Sequence, residues 1–163
     1  IVMAKTTVQF TLNGRDTAEI DETGATLLHV LREKVGDYSP KGGCHQGTCG
    51  TCSVIVDGEL RLSCLTVAET CNGATVETTA GLATNGVLHQ IQEAFIKHFA
   101  AQCGFCTSGM IMASKVLLDR NPTPTREEVI DAISGNICRC TGYVSIIDAI
   151  LEAGTRLQSS GGK

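Results

Sequence analysis

The chain has 163 residues, enough for one ordinary domain or two small ones. Its 13 Lys and Arg against 17 Asp and Glu leave a formal charge of −4, which excludes a basic footprint for nucleic acid or an anionic membrane. Apolar residues are 42 % and aromatics 4 % with no Trp, so the chain buries a core but offers no aromatic platform for bases; the anomaly is 18 Gly beside 9 Cys.

Residues 1–7 carry no apolar run of roughly 7–15 residues and no small-residue cleavage site, so no secretory leader is expected. Met3 is a candidate initiator, with Ile1 and Val2 either an upstream start or a non-native addition. No apolar stretch approaches ~20 residues, so no membrane span is expected. A reducing, cytoplasmic setting follows, where clustered cysteines bind metal more often than they form disulfides. An odd number of thiols would in any case leave one unpaired.

Val8, Phe10 and Leu12 alternate with Thr7, Gln9 and Thr11, the period of a strand. Asn13-Gly14 is a hairpin signal, with residues 15–20 as the return strand. Residues 26–35 read as a short helix with Leu27, Leu28 and Leu31 inward. Residues 53–56, the turn Asp57-Gly58 and residues 60–62 form a second hairpin, and 74–78 a last strand. No internal repeat is evident.

From residue 86 the period becomes helical. Leu88, Ile91, Phe95 and Phe99 form one stripe, and Met110, Ala113, Val116 and Leu117 a second. Asn121-Pro122-Thr123-Pro124 breaks the pattern, and Thr125 to Glu128 is a capping box opening a third helix with Val129, Ala132 and Ile133 inward. Val144, Ile147, Ile150, Leu151 and Leu157 mark a fourth, followed by a frayed polar tail at 159–163. Gly81, Asn85 and Gly86 cluster near the switch, which divides the chain into domains of residues 4–79 and 84–158.

Cys44, Cys49, Cys52 and Cys64 have the spacing C-x4-C-x2-C-x11-C. A C-x4-C-x2-C run with one distant cysteine is the plant-type [2Fe–2S] spacing. Four thiolates and two sulfides make such a cluster anionic, so backbone N–H groups must turn towards sulfur. Gly42, Gly43, Gly47 and Gly50 permit that and allow close approach. A structural zinc site is the plainer alternative, although zinc knuckles favour two separated pairs over three crowded cysteines.

Cys103, Cys106, Cys138 and Cys140 have the spacing C-x2-C-x31-C-x-C. Each pair precedes a predicted helix, where thiolates gain from free N–H groups. The C-x-C pair is too tight for one helix face, so Cys138 and Cys140 belong on a loop. Taken alone this set could also hold tetrahedral zinc; beside the first loop a second [2Fe–2S] cluster is favoured. Cys71 is left as a small buried hydrophobe. His29, His45, His89 and His98 have no serine or carboxylate at a telling spacing, so the chain offers no nucleophile or acid–base pair; His45 reads as a solvated loop histidine, with tuning of its cluster as the alternative. Lys41 and Arg139 flank the cysteine runs, as charge-offsetting groups or as ordinary solvated cations. No GxGxxG precedes a helix, so no dinucleotide site is expected.

The runs Gly43 to Cys52, Gln102-Cys103-Gly104-Phe105-Cys106-Thr107 and Asn136-Ile137-Cys138-Arg139-Cys140-Thr141-Gly142-Tyr143 resemble those of one family. It is the small iron–sulfur subunit of the xanthine oxidase family of molybdenum hydroxylases, which includes bacterial carbon monoxide and N-heterocycle dehydrogenases. The resemblance covers about residues 6–157. It implies an α+β fold: an N-terminal β-grasp ferredoxin-like domain and a C-terminal four-helix bundle, each with a [2Fe–2S] cluster. It implies a large subunit whose molybdopterin, in a cytosine dinucleotide form, faces the bundle's cluster, with Gln102 and Cys140 at positions that touch the pterin. A medium subunit with FAD takes the electrons from the plant-type cluster, in a dimer of heterotrimers. The implied role is an electron relay with no bond chemistry on this chain. The substrate would be carbon monoxide or an aromatic N-heterocycle, with an aldehyde or purine as the alternative. A stand-alone two-cluster ferredoxin is the reading from a different class. The family's usual Thr-Pro is Thr107-Ser108 here; Ser108 should fall in a first helical turn, where proline is merely preorganised. Thr51 stands where the family often has Ala, bringing a hydroxyl near sulfur.

Overall fold

The computed structural model describes residues 4–160, so the expectations for Ile1, Val2 and Met3 and for residues 161–163 lie outside the described residues. Strands β1 (Lys5–Leu12) and β2 (Arg15–Glu22) pair antiparallel, from Lys5 against Glu22 to Leu12 against Arg15. Their turn places Asn13 and Gly14 at φ 51° and 79°, the doubly left-handed geometry a two-residue hairpin requires. The same device at Asp57 and Gly58 joins β3 (Ser53–Val56) to β4 (Glu59–Leu62). With β5 (Thr75–Glu77) they form one sheet of order β2-β1-β5-β3-β4, in which β1 and β5 run parallel.

Helix α1 (Leu27–His29) starts where the Thr26 hydroxyl accepts from the His29 amide at 3.2 Å, and the chain continues as a π-helix over Val30–Val35. Leu27, Val30 and Leu31 pack onto Val8, Phe10, Val54 and Val76 of the sheet, with Cys71 buried among them. This is the expected β-grasp arrangement, and Cys71 sits in it as the small core residue that was expected.

The second half is helical: α2 (Gln90–Lys97), α3 (Thr107–Arg120), α4 (Arg126–Ala132) and α5 (Val144–Ser160). Ile91, Phe95, Met110, Ile111, Val129, Ile133, Ile146 and Ile150 form their common core. Helix α3 departs from the expected single stripe. Residues 108–114 are all buried, because α3 contacts β3 and β4 as well as α2 and α4. The stripe on α2 is also shorter than expected. The helix ends at Lys97, and Phe99 turns outward at φ 51° with 83 % of its surface exposed. Helix α5 includes Ser159 and Ser160, where a frayed tail was expected. Among the described residues no helix is long and apolar enough to cross a membrane.

Candidate metal centres

The loop between the π-helix and β3 carries Cys44, Cys49 and Cys52, and Cys64 follows β4. Its neck is closed by residues 41 and 51. The Lys41 amide donates to the Thr51 carbonyl at 3.1 Å, and the Thr51 hydroxyl donates back to the Lys41 carbonyl at 2.9 Å. Inside the loop the amides of Gln46 and Thr48 point at Cys44 Sγ, at 3.4 and 3.3 Å. The Thr48 hydroxyl and then the Gln46 amide bring the Cys44 thiol down to about 5. Gly43 is needed for room: a Cβ there would lie 2.8 Å from both Cys49 Sγ and Thr51 Oγ1. The expected backbone distortion falls at Gly47 and Gly50, and also at His45, a non-glycine at φ 54° whose left-handed backbone was not expected from the sequence.

The second group forms where the segment before α3 meets the segment before α5, both without regular structure, as expected for the C-x-C pair. Cys103 and Cys140 are exposed with their sulfurs 3.5 Å apart, whereas Cys106 and Cys138 are buried. The Phe105 amide and then Cys140 lower the Cys103 thiol. Burial, and then Cys138, pushes Cys106 up to about 12. Burial also works against the Cys138 thiolate, but the Thr141 hydroxyl at 3.1 Å and amide at 3.5 Å outweigh it and lower Cys138 overall. The Cys138 amide donates to the Tyr143 hydroxyl at 2.9 Å, fixing the loop. Ser108 lies in the first turn of α3, as expected.

The thiols come together two by two. The Cys103 and Cys140 sulfurs are in contact at 3.5 Å, and Cys44 lies beside Cys49, Cys64 beside Cys52 and Cys106 beside Cys138. Sequence neighbours Cys103 and Cys106 thus belong to different pairs. Among the described residues no three His, Cys, Asp or Glu converge as a single-ion site. Each iron of a diiron cluster takes two thiolates, so paired thiols flanked by N–H and O–H donors fit that donor set.

The two loops also touch each other. The Ile137 amide donates to the Cys49 carbonyl and the buried Asn136 amide group to the Gly50 carbonyl, both at 3.0 Å. Gly109 of α3 leaves room for that contact: a Cβ there would lie 2.2 Å from the Gly50 carbonyl oxygen. Asn136, Thr141 and Tyr143 lie within the second cysteine motif, but their roles depend on partners that spacing does not reveal. Of the remaining candidates, Gln102 is exposed beside Cys103, Arg139 is exposed, and Lys41 is half-buried with its Nζ at 3.5 Å from the Ser39 carbonyl. His98 lies 2.5 Å from Glu152 and His29 lies 3.4 Å from Asp21, partners that sequence spacing did not suggest.

Two family models match the chain: "2Fe-2S iron-sulfur cluster binding domain" over residues 10–83 and "[2Fe-2S] binding domain" over residues 78–151. The chain is 43 % identical over 151 residues to the nicotine 6-hydroxylase small subunit of Paenarthrobacter nicotinovorans, covering 93 % of this chain and 91 % of that protein. It is also 43 % identical to the nicotinate dehydrogenase small FeS subunit of Eubacterium barkeri, covering 93 % and 96 %. Against a chain in the crystal structure of quinoline 2-oxidoreductase from Pseudomonas putida 86, the TM-score is 0.92 at 41 % identity, covering 97 % and 98 %. The aldehyde oxidoreductase of Megalodesulfovibrio gigas is 42 % identical over 146 residues, but they are only 16 % of that longer chain.

Proposed function

The chain belongs to the iron–sulfur subunits of the xanthine oxidase family of molybdenum hydroxylases, and from that premise we propose that it relays single electrons from a molybdopterin on a large subunit to FAD on a medium subunit. The reading rests on the eight thiols, gathered as four pairs in two groups. Cys44 with Cys49, and Cys52 with Cys64, would each take one iron of the first cluster. Cys103 with Cys140, and Cys106 with Cys138, would each take one iron of the second. We take residues 4–79 and 84–158 as the two cluster-binding domains. When bound, each cluster accepts and releases one electron at a time.

The residues of the chain set the conditions for that transfer. The amides of Gln46, Thr48 and Thr141 and the hydroxyls of Thr48 and Thr141 meet the negative charge on sulfur. The core around Leu28, Cys52 and Cys64 keeps water from one side of the first group. The exposed Cys103–Cys140 pair, with Gln102 beside it, is the natural face towards the pterin of the large subunit, which we take to be the cytosine dinucleotide form. The Cys49 carbonyl and Ile137 amide join the two groups by one hydrogen bond.

The substrate we propose is an aromatic N-heterocycle. Three similar proteins are named for nicotine, nicotinate and quinoline, which supports this choice over carbon monoxide. A dimer of heterotrimers in the cytoplasm completes the proposal.

The test is Cys140→Ser in the assembled complex. It should alter one of two paramagnetic signals, leave the other in place and depress substrate turnover. Retention of both signals with normal turnover would sink the reading. Elution of the native protein alone at the mass of one chain would favour the stand-alone ferredoxin.

A further inference from the structure

Threonine hydroxyls meet sulfur in both groups, but in different settings. Thr141 donates to Cys138 Sγ at 3.1 Å while its oxygen accepts from the Tyr143 amide at 3.2 Å. Its single proton is therefore directed at the sulfur. Thr51 lies between two acceptors. Its hydroxyl is 2.9 Å from the Lys41 carbonyl and 3.2 Å from Cys49 Sγ, with no amide on its oxygen among the described residues.

The Thr51 side chain is also fixed in place. It is 4 % exposed, and its own carbonyl accepts from the Lys41 amide, so residues 41 and 51 tie each other at two points. The space it shares with Cys49 exists because residue 43 has no Cβ. A hydroxyl carries one proton. The Thr51 hydroxyl donates to the Lys41 carbonyl, and between Thr51 and the Cys49 thiol either group can be the donor. A metal-bound cysteine has lost its thiol proton. The Thr51 hydrogen is then the only one between a neutral carbonyl and an anionic sulfur. Hydrogen bonds to an ionised acceptor are roughly twice as strong as neutral ones, and burial strengthens them further.

We infer that Thr51 sets the potential of the first centre: its hydroxyl turns from the Lys41 carbonyl to Cys49 sulfur when Cys49 binds iron, favouring the reduced, more negative state. This rests on the proposed ligation by Cys49. Thr51 acts through Cys49 and is a positioning residue.

The experiment is a redox titration of the holoprotein followed by paramagnetic resonance, with the signals assigned by Cys140→Ser. Thr51→Val keeps the shape and loses the hydroxyl. It should lower the midpoint potential of the first cluster by about 59 mV, a tenfold shift in its one-electron reduction equilibrium, and leave the second unchanged. Thr51→Ser should stay near the parent potential. If Thr51→Val does not assemble the cluster, Thr51→Ala reads the same loss. An unchanged or higher first potential overturns the inference, because the Thr51 hydroxyl then keeps donating to the Lys41 carbonyl. An equal shift of both clusters overturns it too, because the effect is then general packing. Cys49→Ser with both signals intact removes the ligation itself, and so separates failure of the underlying reading from failure of this one.

Discussion

Phe99 is a large aromatic in the left-handed region, where side chains crowd the backbone, and it has little burial to offset that strain. Its sequence neighbours explain the placement. Ala100 is fully buried, and its amide donates to the Phe95 carbonyl at 2.9 Å, so the chain must reverse at 99 to reach the Cys103 loop. Phe99→Gly should therefore stabilise the protein by about 1 kcal/mol, since glycine adopts this conformation without the Cβ penalty. Urea unfolding of the holoprotein checks this; a lower midpoint would mean that Phe99 packs usefully where it lies. Gly50 and Gly109 show the opposite demand. They serve as gaps, and a methyl group on either would strike the partner loop's backbone or Asn136.

Helix α2 begins with an unusual cap. His89 Nδ1 accepts from the Ile91 amide at 3.2 Å while Gln92 Oε1 accepts from the His89 amide at 2.9 Å. Only the neutral ring can accept there. Burial first, and then the Lys115 ammonium, lowers the His89 pKa below its usual value of about 6.5, with Asp119 opposing. A lowered folded pKa means that the unfolded chain binds more protons in that window. The capping contribution is full above about pH 6.5 and is lost as pH falls through the folded value. His89→Asn keeps a capping oxygen that does not titrate. The variant's melting temperature should fall less than the parent's between pH 7 and 5; equal slopes would show that the cap is indifferent to protonation. Helix α4 relies on the conventional capping box of Thr125 and Glu128, visible in sequence because both halves lie within one turn.

At the scale of the molecule, two small cores are joined by α3 packing on β3 and β4 and by the two cysteine loops. One core lies between sheet and α1, the other among α2 to α5, and the hydrogen bonds from Asn136 and Ile137 to Gly50 and Cys49 cross between them. Metal binding and folding are coupled wherever ligands must be gathered from distant segments. Removing iron by chelation under reducing conditions should lower the melting temperature and speed hydrogen exchange first at residues 41–52 and 136–143. Amides near Ile91 and Ile150 should stay protected longer. Loops that remain protected without iron would show that protein contacts alone hold them.

The sequence by itself determined what is local. It carried both hairpins, because Asn-Gly and Asp-Gly turns act on adjacent residues, and the α4 cap for the same reason. It carried both cysteine runs and the switch from sheet to helix near residues 79–86. Tertiary structure alone decided which thiols pair, since Cys103 meets Cys140 across 37 positions while its neighbour Cys106 meets Cys138. It also decided that Thr51 lies between a carbonyl and a sulfur, that α3 packs on β3 and β4 as well as on α2 and α4, and that Phe99 leaves its stripe. In each case the deciding partner is distant along the chain, and spacing records only the register of neighbours, not which surfaces the fold presses together.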